Sequence, residues 1–257
     1  MKKLMCAVAA LSAGICMAGI TSANIVGYQT IPEISASQYI ALGTVFEDVA
    51  GGEIAVKDLV KVGVPAGGGS LGAGTDQIWR WNTETASWTQ YFWYSSRGTT
   101  LWAKKGTKVE TTDTIPAGET FFFLRAAGAS ATSLTLAGAV KQMDGAVSTT
   151  VSASQLAFMA NPWPTSMAIK NFSAMYSAGA PAGGGSLGAG TDQIWRWNRE
   201  TSTWTKYFYY SSRGTTLWAL QGQKVATEDV IPSGEGFFFQ RAAGAAQATL
   251  TISAPAK

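Results

Sequence analysis

An eighteen-residue stretch, PAGGGSLGAGTDQIWRWN from Pro65 to Asn82, recurs without a change from Pro181 to Asn198. Around it the two halves keep step, with position i matching position i+116. Of the 66 positions from Pro65 to Ser130, 51 are identical to their counterparts between Pro181 and Ala246. Upstream the match is looser: Ile34-Ser35-Ala36-Ser37-Gln38 aligns with Val151-Ser152-Ala153-Ser154-Gln155, one residue being lost before the glycine run. Two copies at this period mean tandem domains rather than a solenoid. The units are 24–140 and 141–257. Identity this high marks recent copying, so a residue shared by both halves is not thereby marked as functional.

The segment before the first unit reads as a secretory leader, 1–23. Lys2 and Lys3 give a positive start, Leu4 to Ile20 is apolar, and Thr21-Ser22-Ala23 supplies the small residues of a cleavage site. Ser12, Gly14 and Gly19 interrupt the apolar run and leave it short of the ~20 residues of a membrane span. The expectation is a mature chain that starts at Asn24, is secreted or held at the cell surface, and has no transmembrane segment.

Cleavage removes Cys6 and Cys16, the chain's two cysteines, and the sequence holds no histidine. The mature part then carries 17 Lys and Arg (19 less Lys2 and Lys3) against 16 Asp and Glu. So even a balance gives no electrostatic reason to expect nucleic acid as a partner. Without His or Cys, a Ser-His-Asp triad, a Cys-His pair and an ordinary zinc site are ruled out. No cofactor and no metal are expected, and stability has to come from core burial.

Each unit reads as strands and turns. Tyr39 to Phe46, Gln77 to Asn82, Trp88 to Tyr94, Thr99 to Ala103, Phe121 to Arg125 and Leu134 to Val140 are short runs rich in aromatic and β-branched residues. Ala55 to Val62 and its counterpart Met167 to Tyr176 fit either a strand or one or two helical turns. The fold class is all-β, as two tandem, near-identical β-sandwich (jelly-roll-like) domains. An outer-membrane barrel is a weaker third reading, because the strands fall short of the ~9–11 residues that a bilayer needs.

Four short motifs carry a resemblance. They are Asn24-Ile25-Val26-Gly27-Tyr28, Ala160-Asn161-Pro162, Ile231-Pro232-Ser233-Gly234-Glu235-Gly236-Phe237-Phe238 and Leu134-Thr135-Leu136-Ala137-Gly138. Together they resemble an abundant group of secreted all-β proteins of planctomycete and verrucomicrobia-type bacteria. The likeness covers nearly the whole mature chain and implies export and a strand-built fold; it brings no chemistry with it. The first unit departs from the pattern, with Ala41-Leu42-Gly43-Thr44 where the second has Met159-Ala160-Asn161-Pro162.

General acid–base work would fall to carboxylates shared by the units: Asp76/Asp192, Glu84/Glu200, Asp113/Asp229 and Glu119/Glu235. Glu84 and Glu119 lie in turns, where a solvated or capping side chain is the ordinary outcome, so no catalytic residue is assigned. Gly67-x-Gly69-x-x-Gly72 satisfies the dinucleotide string, but a Trp-rich strand follows it where that motif needs a helix. The glycine loop with Asp76 is also a remote candidate for calcium.

The aromatic residues are the positive signal. Pairing across the Thr83–Ala86 turn sets Trp81 opposite Trp88 and Trp79 opposite Gln90. Pairing across Ser95–Gly98 sets Phe92 opposite Leu101 and Tyr91 opposite Trp102. Alternation then puts Trp79, Trp81, Trp88, Phe92 and Leu101 on one face, read as core. The other face mixes rings with polar groups, and it supplies the candidate binding residues Arg80, Tyr91, Trp93 and Trp102, repeated as Arg196, Tyr207, Tyr209 and Trp218. Two outcomes stay open: these rings pack against another sheet or the neighbouring unit, or they form an exposed contact surface. The function expected is non-enzymatic, a secreted or cell-surface structural or interaction protein acting through aromatic-rich faces. Its partner would be another copy of itself or, as the alternative, an extracellular glycan held at two equivalent sites.

Overall fold

The computed structural model describes residues 26–140 and 146–254. The leader read at 1–23 and the unit boundary at 140/141 therefore lie outside the described residues. In the first half the elements are β1 (Val26–Ile34), β2 (Tyr39–Gly43), β3 (Phe46–Glu47), β4 (Ile54–Ala55), α1 (Val56–Leu59), β5 (Val60–Val62), β6 (Gln77–Asn82), β7 (Ser87–Ser96), β8 (Thr99–Lys104), β9 (Thr114–Ile115), β10 (Thr120–Leu124) and β11 (Thr132–Val140). In the second half they are β12 (Ala146–Val151), β13 (Leu156–Ala160), β14 (Met167–Ala168), a 3-10 helix (Ile169–Met175), β15 (Tyr176–Ala178), β16 (Gln193–Asn198), β17 (Thr203–Ser212), β18 (Thr215–Leu220), β19 (Val230–Ile231), β20 (Gly236–Gln240) and β21 (Ala248–Ser253). The fold is all-β and its named strand pairs are antiparallel. The two segments open to either assignment combine short strands with a helical turn, α1 in the first half and the 3-10 helix in the second.

The first half folds as a sandwich. A five-stranded sheet in the order β2-β10-β6-β7-β8 lies over a sheet built on β11, which pairs with β1, β3 and β5. Ile40, Leu42, Ile78, Tyr91, Trp102, Phe121 and Phe123 from the first sheet meet Ile31, Ile34, Leu134 and Leu136 from the second. The second half repeats the five-stranded order as β13-β20-β16-β17-β18, above the sheet β12-β21-β15.

The two five-stranded sheets then pack on each other. Ala41, Phe122, Phe158 and Phe238 are buried between them, ringed by Tyr39, Trp79, Trp81, Trp88, Leu156, Trp195, Trp197 and Trp204. Phe158 stacks on Phe238 with centroids 4.2 Å apart and planes at 14°. Four sheet layers result, and the middle two are covered on both faces. That is why β10 reads Phe121-Phe122-Phe123 without alternation: Phe121 and Phe123 turn into their own sandwich, and Phe122 turns into the junction.

Equivalent residues exchange equivalent hydrogen bonds across this junction. The Trp81 indole donates to the Leu156 carbonyl at 2.7 Å, and the Trp197 indole to the Tyr39 carbonyl at 2.9 Å. Gln155 donates to the Thr83 carbonyl and Gln38 to that of Arg199. Backbone bonds follow the same rule, with the Gly43 amide donating to the Gly234 carbonyl and the Ala160 amide to Gly118.

The β6–β7 register is the one expected, with Trp81 opposite Trp88 and Trp79 opposite Gln90. The β7–β8 register differs: Phe92 pairs with Ala103, Trp93 with Trp102 and Tyr94 with Leu101. The ladder runs on to Ser96 and Thr99, because Arg97 and Gly98, at φ 51° and 79°, close a two-residue turn. The slip is two residues, so each side chain keeps the face it was assigned. No helix among the described residues is long and apolar enough to cross a membrane.

Candidate functional site

Of the two outcomes open for the face that mixes rings with polar groups, packing inside the sandwich is the one found in each half. Tyr91 and Trp102 are 1% exposed, Tyr207 1% and Trp218 0%. Trp93 and Tyr209 are half-buried and lie edge-on to Trp102 and tilted against Trp218, at 5.3 and 5.6 Å between centroids. The face read as core, with Trp79, Trp81 and Trp88, is the one that meets the other half. In the first half Tyr91 and Trp102 share a core with Ile31, Leu134 and Leu136 of the β1/β11 sheet, and in the second Tyr207 and Trp218 share one with Phe172 of the 3-10 helix and with Leu250 and Ile252 of β21.

Of the candidate residues, Arg80 and Tyr91 reach one cleft and Arg196 a second. The first cleft, about 480 Å³, is lined by Arg80, Trp81, Thr89, Tyr91, Lys104, Asp113 and Glu119, with the turn residues Asn82, Thr83 and Glu84. A second, of about 400 Å³, is lined by Arg196, Trp197, Asn198, Arg199, Glu200, Thr205 and Glu235, together with Ile40 and Ala41 of the first half. Trp93, Trp102, Tyr209 and Trp218 line neither, and Tyr207 does not line the second.

A connected polar network crosses the first cleft. Arg80 on β6 grips Glu119 with two parallel bonds of 2.7 Å, Nε to Oε1 and Nη2 to Oε2. Such fork-to-fork pairing fixes both side chains. The Tyr91 hydroxyl donates to Asp113 Oδ2 at 2.6 Å, and Lys104 Nζ donates to the same oxygen at 3.0 Å. The second cleft repeats the grip, Arg196 to Glu235 at 2.6 and 2.9 Å, and Tyr207 donates to Asp229 at 2.7 Å. Leu220 stands where the first half has Lys104, so Asp229 lacks that ammonium.

These contacts set the protonation of the network. The hydrogen bond from Tyr91, joined by that of Lys104, holds the Asp113 carboxyl below its usual range. Burial, reinforced by the bond to Asp113, pushes the Tyr91 phenol up, and the same causes push Tyr207 up to about 12. Burial works against the Arg80 charge, but the bonds and charge of Glu119 outweigh it and raise the guanidinium further. Carboxylates tied to cations in this way suit recognition of hydroxyls and polar groups. General acid catalysis needs a carboxyl held protonated near neutral pH.

The glycine stretch is a structural loop. Its Gly68 pairs in parallel with Tyr94, extending the sheet beside β7 where β6 has ended. A Cβ on Gly67 would lie 2.7 Å from the Trp93 carbonyl oxygen and 2.7 Å from Ser95 Cβ, so the approach requires glycine. Strand β6, not a helix, follows the loop. Asp76, 0% exposed, anchors it: the carboxylate accepts from the amides of Ala66 and Ala126 and from Arg125 Nη1 at 2.8 and 2.7 Å. A calcium ion at Asp76 would have to displace that guanidinium. Among the described residues, no group of three or more His, Cys, Asp or Glu is placed to hold a metal.

Tyr39 escaped the sequence reading although it lies at the junction among Trp79, Phe122 and Trp197. It stands where the second half has Leu156, in a pair of equivalent strands that differ at every position. No family model matches the chain, and no curated protein matches it.

Proposed function

We propose that this chain is a non-enzymatic, secreted or cell-surface structural or interaction protein whose aromatic-rich sheet faces act by association of repeat with repeat. The observation that supports this best is the junction. Equivalent residues donate to equivalent carbonyls from both sides, as in an isologous dimer, here with both halves in one chain. Most of the tryptophans on these sheets, Trp79, Trp81, Trp88, Trp195, Trp197 and Trp204, belong to that contact. What the pair offers to further copies is a sheet edge. Strand β12 ends its sheet, pairs with β21 alone among the named strands, and reads Ala-Val-Ser-Thr-Thr-Val, with neither a charge nor a proline to block edge pairing.

Light scattering and negative-stain microscopy of the mature chain from low to high micromolar test this, together with surface labelling of intact cells. Multimers that Ser148→Lys with Thr150→Lys disperses, on a protein labelled at the surface, support the reading. A monomer at every concentration, a label confined to the cytoplasm, or polysaccharide cleavage lost in Glu119→Gln overturns it.

The two clefts favour glycan binding as a second reading. Each sets an Arg–Glu fork and a Thr beside an indole edge, Trp81 in one and Trp197 in the other. Paired ions of this sort can donate to and accept from sugar hydroxyls, and two sites in one rigid body add avidity. Fluorescence titration with soluble polysaccharides is the test, with Arg80→Lys and Arg196→Lys expected to lose the fork geometry and weaken binding. No response in the parent protein overturns it.

A further inference from the structure

Apart from the polar clefts, one difference between the two halves, at a corner of their junction, is a change of charge. On paired strands Trp195 stands directly opposite Lys206, and Lys206 Nζ lies 4.1 Å from the centre of the Trp195 ring. An alkylammonium over an indole face is attracted by the ring's negative π cloud. The corresponding pair in the first half is Trp79 opposite Gln90, so the same indole has no ammonium partner there. A second exchange accompanies the first: Tyr39 occupies the position of Leu156.

At that corner lies a cavity of about 220 Å³ lined by Tyr39, Trp79, Trp88, Phe122 and Trp197, all five of them aromatic. The rings stand nearly at right angles. Tyr39 meets Trp79 at 87°, Phe122 at 89° and Trp197 at 79°, with centroids 6.0 to 6.4 Å apart. Walls of this kind form a box. The volume is below the roughly 300–1,000 Å³ of sites for drug-sized ligands, and is on the scale of a single head group. No ion pair or carboxylate belongs to the lining, and the Tyr39 hydroxyl is its one side-chain oxygen, so a cation carrying several N–H groups would give up water for few acceptors. A methylated ammonium has no such groups to satisfy.

We propose that this five-ring box binds a quaternary ammonium group, in the place where the second half puts the ammonium of its own Lys206. The group could belong to a free solute or to a lipid head, and the chemistry recognised is the same.

The test uses the whole mature chain. Tetramethylammonium and choline are titrated while tryptophan fluorescence is followed, beside 3,3-dimethyl-1-butanol, the uncharged counterpart of choline. Saturable binding of both cations, with the alcohol about tenfold weaker or more, is expected. Gln90→Lys sets an internal ammonium opposite Trp79 and is expected to cut choline binding by at least about tenfold, with the unfolding midpoint retained. Tyr39→Leu removes one wall by giving it the second half's own residue, and is expected to weaken binding as well. Sedimentation with phosphatidylcholine vesicles separates the sources. Vesicle binding lost in Gln90→Lys assigns a lipid head, and binding confined to choline in solution assigns a solute. The proposal fails if neither cation binds, if the alcohol binds as tightly, or if Gln90→Lys binds choline like the parent.

Discussion

The indole N–H of Trp81 donates to the backbone carbonyl of Leu156 at 2.7 Å, tying β6 of one half to β13 of the other. Trp197 returns the bond to Tyr39. Because the rings of both residues also belong to the junction cluster, a change there is felt by both sandwiches at once.

Trp81→Phe keeps most of the ring and removes the donor, leaving the Leu156 carbonyl without that partner in a half-buried setting. A loss of about 1–3 kcal/mol is expected, and Trp197→Phe should behave alike. Urea unfolding followed by far-UV circular dichroism measures it. One transition for both halves is expected in the parent, since the junction is as aromatic as either core. Two separated transitions in the parent would mean that the halves are energetically independent.

Ala41 and Phe158 hold equivalent positions, both buried in the junction cluster. The small residue on one side leaves room for the ring on the other, which packs against Phe122 and Phe238. Phe158→Ala is expected to cost about 3–5 kcal/mol, as a large cavity with little chance to collapse. Ala41→Phe alone overfills the same space, at about 1–3 kcal/mol. Combining them moves the ring across the junction, so the double variant should be more stable than the sum of the two losses. A double-mutant cycle in urea gives the coupling; strict additivity would show that the two positions do not share one space.

Much of this was legible in the residues and some was not, for physical reasons. The repeat, the strand-rich composition and the Trp79–Trp88 hairpin follow from local pattern, and the alternation of Trp79, Trp81 and Arg80, Tyr91 split the sheet faces correctly. Which face met water did not follow, because the covering elements are distant in sequence. Strand β11 covers one face and β20 the other. The run Phe121-Phe122-Phe123 held the missing information, since three consecutive rings in a strand require cover on both sides. The Arg80–Glu119 fork and the Tyr91–Asp113 bond span 39 and 22 residues, beyond the reach of any periodicity. The slip at Arg97–Gly98 arose because a non-glycine residue takes positive φ there, which its side chain gives no strong reason to expect.

Asp76 and Arg125 form an ion pair with side chains 0% and 2% exposed, and the same carboxylate holds the glycine loop through the Ala66 amide. Asp76→Asn keeps the shape and leaves the guanidinium buried without its counter-charge. A loss of about 3–5 kcal/mol is expected, while Asp76→Leu combined with Arg125→Met should lose less than Asp76→Asn alone. Hydrogen exchange is the specific readout, because the Ala66 and Ala126 amides should lose protection first.

Alkaline stability depends on the two buried phenols. Burial, with the bond to Asp229 second, holds Tyr207 up at about 12 against an ordinary 10.0, and Tyr91 is raised for the same reasons. A group whose folded pKa is raised contributes stability that is complete below the unfolded value and is lost as pH rises through the folded one. The loss should therefore fall between pH 10.0 and about 12 for Tyr207. Spectrophotometric titration at the phenolate band is expected to show a delayed step shared by these two and by Tyr176, whose phenol burial also pushes up, coincident with loss of near-UV dichroism. Tyr207→Phe removes the titrating hydroxyl, so its urea midpoint should fall less steeply with pH across that window than the parent's. An identical slope would mean that the Tyr207 phenol ionises equally readily in the folded and unfolded chain.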